Sequence, residues 1–102
     1  MNRAGNGQPV DYEIRAAQQV WDLLKRHHRE AALAGHGHTF LNALRTISER
    51  LRKEPMVFGE AQYRLPALKL QVRQGVAHPL VVDYAVHDER PLVLIRGFKV
   101  LS

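Results

Sequence analysis

Three groups of side chains in this 102-residue chain have the types and spacing to do chemistry. The first is a set of histidines, His27-His28 and His36-Gly37-His38. Imidazole binds Zn²⁺ and exchanges protons near neutral pH. No His-Glu-x-x-His arrangement occurs, and no carboxylate is spaced to complete a ligand set. The simpler reading is local. His27 and His28 fall in the last turns of a helix, where positive charge suits the dipole, and His36 and His38 fall in a glycine-rich loop. No metal and no cofactor is expected. The second group is cationic: Lys69, Arg73 and Arg96, with Gln71 between the first two. Period-two alternation puts Lys69, Gln71 and Arg73 on one side of a strand. Clustered cations on a sheet face can hold a phosphodiester and stabilise charge developing on it, so these three are the candidate catalytic residues. Asp83 and His87 have the parity to share that face. The competing reading is a solvated face with a protective edge lysine, and Asp83 in a cross-strand ion pair. The third group is Arg45, Arg52 and Lys53, beside Arg50, on a helical stretch. With Lys69 and Arg73 these are the candidate nucleic-acid-binding residues.

Other chemistries lack their residues. There is no cysteine, so disulfides, thiolate metal sites and a cysteine nucleophile are excluded. Ser48 and Ser102 lie outside any G-x-S-x-G context. No glycine-rich phosphate loop occurs, and no carboxylates are paired at glycosidase-like positions. Fifteen Lys and Arg against ten Asp and Glu give a formal charge of +5, which suits an anionic partner. The excess is spread over both halves of the chain, so an anion site has to be assembled by folding. No apolar run approaches the roughly 20 residues of a membrane span. Met1–Val10 lacks the layout of a signal peptide, so no membrane partner and a cytoplasmic location are expected.

The elements that would position these groups follow from periodicity. Residues 1–10 are polar and glycine-rich and read as a flexible tail; residues 11–102 read as a single α+β domain. Asp11 is a plausible helix cap, followed by a stripe at Ala17, Val20, Trp21, Leu24, His28, Ala31 and Ala32. Gly35 stands where a left-handed helix terminus is expected. Thr39 caps a second helix with a stripe at Phe40, Leu44, Ile47 and Leu51, which Pro55 ends. The period then changes to two. Residues 68–73, 80–86 and 92–95, the last extended by 98–101, read as three antiparallel strands. The expected architecture is a helical hairpin packed on a small antiparallel sheet, with the cationic face of the sheet open.

This order, on a basic chain of this size, resembles the RelE/ParE toxin superfamily of toxin–antitoxin modules. The likeness runs over about residues 14–98 and rests on a few stretches. Leu51-Arg52-Lys53-Glu54-Pro55 with Phe58-Gly59-Glu60 and Tyr63-Arg64-Leu65 resembles the end of the second helix and its loop. Leu68–Arg73, Val82–Val86 and Leu92–Ile95 resemble the meander strands. The resemblance implies a strand ahead of the helices, for which only Tyr12-Glu13-Ile14 is available. It implies a toxin restrained by an antitoxin protein, acting either on translation by mRNA cleavage at the ribosome or on DNA gyrase. It assigns Lys69, and nearby Arg73, to the basic strand positions of the cleaving members. The chain has Val81 where those members often have Arg, and residues 97–102 contain neither an Arg-rich tail nor a late Tyr. A non-catalytic nucleic-acid- or protein-binding domain on the same fold is the alternative function.

Overall fold

The structure is a computed structural model and describes residues 11–101. The expected flexible tail over 1–10 lies outside the described residues. The elements run β1 (Glu13–Ala16), α1 (Gln18–Leu33), α2 (Gly37–Lys53), a one-turn α3 (Pro55–Phe58), β2 (Glu60–Leu65), a 3-10 turn (Pro66–Leu68), β3 (Leu70–Ala77), β4 (Leu80–His87) and β5 (Leu92–Val100). The fold is α+β, with a helical hairpin and α3 against a sheet. The sheet has five strands where three were expected, in the order β1-β5-β4-β3-β2. It is mixed, because β1 runs parallel to β5 while every other pair is antiparallel.

The two added strands have clear physical origins. Tyr12, Ile14 and Ala16 alternate with Glu13 and Arg15, a period of two that packs its apolar members on the core. Asp11 is therefore not a helix cap; Ala17 is the cap residue and makes no side-chain bond. At the other edge, Glu60–Leu65 pairs with β3 through a bulge between Ala61 and Tyr63. The helical hairpin turns where expected. Gly35 has φ +82°, and the Gly35 and His36 amides return to the Ala32 and Ala31 carbonyls at 3.1 and 2.7 Å. Those are the two hydrogen bonds of a Schellman motif. α2 then starts at Gly37, two residues before Thr39.

The main core lies between the helices and one face of the sheet. Phe40, Ala43, Ile47 and Leu51 of α2 and Leu24 of α1 meet Leu80, Val82, Tyr84, Val86, Val93, Ile95 and Phe98. Tyr84 carries the one buried hydroxyl in this set. It donates to the Pro55 carbonyl at 2.7 Å and accepts from the Gly59 amide at 2.9 Å, so it grips both ends of α3. Phe58 stacks at 6.3 Å from Tyr84. Its ring sits where a Cβ on Gly75 would be, 2.4 Å from that position. A Cβ on Gly59 would fall 2.6 Å from both the Gln74 carbonyl oxygen and the Tyr84 hydroxyl. Replacing Tyr84 by Phe leaves a buried amide and a buried carbonyl unpaired. It should lower the free energy of unfolding by about 2 kcal/mol, read as a lower urea midpoint at unchanged slope.

Candidate functional site

The helices cover the sheet face that carries Leu80, Val82, Tyr84 and Val86. Among the described residues no layer covers the opposite face. Register assigns its members: Tyr63 lies opposite Val72, Val72 opposite Ala85, and Ala85 opposite Leu94. Leu70, Val72 and Ala85, with Leu65 and Leu94, form a second apolar cluster there. The bulge in β5 sets Arg96 between the Ile95–Tyr84 and Gly97–Asp83 pairs, and Arg96 is exposed.

Arg96 and Tyr63 meet across this face. Arg96 Nη1 donates to the Tyr63 hydroxyl at 2.7 Å, and the guanidinium carbon lies 5.9 Å from the ring centre. Their strands are three positions apart in the sheet, about 14 Å at the usual spacing. Both side chains must therefore lie down across β4 and β3. One pleat away on the same face, Gln74 Nε2 donates to Asp83 Oδ1 at 3.0 Å. The result is an open surface with a cation, an aromatic ring and an amide–carboxylate pair over a floor of aliphatic side chains. Arg15 shares the face from β1 but is engaged by Glu13 at 2.7 Å. The hydrogen bond and the charge of Glu13 hold the Arg15 guanidinium above its ordinary value. Arg96 and Lys99 make no ion pair among the described residues.

No family model, curated protein or solved structure matches this chain.

The expected cationic cluster does not form. Lys69 is outside the strand, in the left-handed region at φ +55°, exposed and paired with both Glu89 carboxylate oxygens at 3.1 Å. Its carbonyl accepts the Asp88 amide at 2.8 Å, and Asp88 also pairs with Arg64. Lys69 thus ties the 3-10 turn to the β4–β5 turn. Arg73 faces the helices, since its register partner is Tyr84, and is only 8% exposed. Its guanidinium donates to the Gly59 carbonyl and, at 2.6 Å, to Gln71 Oε1, with Nε unpartnered. Of the three candidate catalytic residues only Arg96 stands on the open face. Asp83 and His87 do share that face, but Asp83 pairs with Gln74. His87 Nδ1 accepts the Glu89 and Arg90 amides at 3.0 and 3.1 Å and shapes the turn.

The α2 cations are on the far side of the sheet from Arg96. Arg45 donates to Asn42 at 3.4 Å and Arg52 lies 3.8 Å from Asp11. Lys53 is exposed. No single surface unites these three with Lys69, Arg73 and Arg96. Sequence reasoning missed Tyr63 as a site residue; the signal was the alternation of Ala61, Tyr63 and Leu65 with polar neighbours.

These placements separate the two basic residues of the Leu68–Arg73 stretch by experiment. Arg73→Ala removes a buried side chain and strands the Gly59 carbonyl. It should cost about 2–4 kcal/mol in urea unfolding. Lys69→Ala removes an exposed pair and should cost no more than about 1 kcal/mol.

Proposed function

We propose that the chain is a toxin-like component of a type II toxin–antitoxin module, of the RelE/ParE kind, held in check by an antitoxin protein. The observation that carries this reading is β1. The resemblance calls for a strand ahead of the helical hairpin, and one lies at Glu13–Ala16, paired with the last strand of the meander. The charge of +5 supports an anionic target. The open face, with Arg96 beside Tyr63, is the surface we assign to that target.

The geometry favours action by binding over cleavage. RNA cleavage of the RelE type needs several cations around one phosphate. Here Lys69 is held in an ion pair, Arg73 is buried, and only Arg96 faces outward. Of the two targets that the resemblance implies, DNA gyrase is therefore the better fit, and mRNA on the ribosome the lesser. The same dispersal of cations favours, as a second reading, a non-catalytic nucleic-acid- or protein-binding domain.

Induced expression in a bacterium should arrest growth, and Arg96→Ala should relieve the arrest at an equal soluble level. Full growth at high soluble levels of the unaltered chain overturns the toxin reading. The second reading is then measured by binding of RNA and DNA in a salt titration, where each lost phosphate contact lowers the slope by about one.

A further inference from the structure

A second feature lies away from the open face. A cavity of about 570 Å³ opens at the turn between α1 and α2, beside the β3–β4 turn and the end of β5. Its walls are mainly apolar, with Phe40, Pro79, Val100 and Leu101 among them. Three imidazoles reach its lining from three different elements: His27 from α1, His36 from the residue before α2, and His78 from the β3–β4 turn. A concave, largely apolar space of this size with a few converging polar groups is the usual form of a small-molecule site.

The histidines narrow the choice of ligand. Among the described residues no group of three or more His, Asp or Glu is arranged to hold a metal ion, so the imidazoles are available to an organic group. Imidazole N–H groups donate to anions. Among the described residues the one carboxylate of the lining is that of Glu30, which already lies 3.7 Å from His27 Nδ1. Thr39, in the first turn of α2, adds a hydroxyl. The start of α2 has no side-chain cap, so its first amides add positive potential at the same end. The remaining wall offers Phe40, Val100 and Leu101 to an apolar body.

We infer that this cavity binds a small organic acid, with its apolar chain or ring against Phe40, Val100 and Leu101 and its carboxylate towards His36 and His78. The inference is independent of the toxin reading.

Octanoate and octanol, matched in length, test it on the full chain by calorimetry and by nitrogen-labelled histidine spectra. Octanoate should bind saturably, shifting the His27, His36 and His78 imidazoles, and octanol should bind at least about tenfold more weakly for want of the charge-assisted hydrogen bonds. Ala34 lines the cavity and is exposed at the end of α1; Ala34→Trp should fill the space and abolish binding. His36 and His78 are also exposed, so replacing both by Ala should spare the fold and weaken octanoate about tenfold. That double variant decides the matter if Ala34→Trp misfolds. Absence of saturable octanoate binding overturns the inference, as does octanol binding equally well or octanoate binding unchanged in the double histidine variant.

Discussion

The Tyr84 hydroxyl is the point on which the architecture turns. After α2 the chain has six residues in which to reverse and enter the sheet as β2. Pro55 opens that reversal and Gly59 closes it, and one phenol bonds to both. Gly59 is then held a second time, through its carbonyl, by Arg73. The close approach leaves no room for a side chain at Gly59, and the Phe58 ring leaves none at Gly75. Six residues that look unrelated in the sequence thus form one joint. The start of β2 hangs from that joint, and with it the position of Tyr63 on the open face. A buried guanidinium is costly unless its donors are met; here it is spent on orienting backbone.

The two faces of the sheet divide the work. The helix side takes the large side chains, including Phe98, Ile95 and Tyr84. The open side keeps Val72 and Ala85 low, at 2% and 1% exposure, with no layer of described residues above them. Flanking leucines and long side chains that lie down across the strands account for that burial. The Arg96–Tyr63 contact is one such crossing, so the cation that can meet a ligand is also part of the cover of a small apolar cluster.

The helical hairpin and β4 were legible because single periods dominate them. Phe40, Ile47 and Leu51 recur at helical spacing, and Gly35 marks the stop. β1 was obscured by a helical stripe that begins at Ala17 and by Asp11, a residue type that caps helices elsewhere. Its partner is β5, remote in sequence, and no local pattern announces such a pairing. The site was misread for a different reason. Alternation in Leu68–Arg73 identifies which residues share a side but not which side is covered. The two-residue connection at His78–Pro79 fixes Ala77 opposite Leu80, and that register carries Gly75 and Arg73 to the helix side with Val82 and Tyr84. Lys69 adopts a left-handed conformation that is uncommon outside glycine and drops out of the strand. The basic residues were visible; the fold's choice of face was not.

The parallel pairing of β1 with β5 has a consequence for how the protein comes into being. The hairpin and β2–β3–β4 are contiguous stretches that can organise as they leave the ribosome. Of the described elements β1 is made before the rest and waits longest, since Glu13–Ala16 has its partner only once Leu92–Ile95 has been synthesised. Closing that contact spans nearly the whole described chain, which is the slow kind of step in folding. Until then Ile14 lacks its neighbour Val93. The sheet is therefore completed in one late event, when the first and last of the described strands come together.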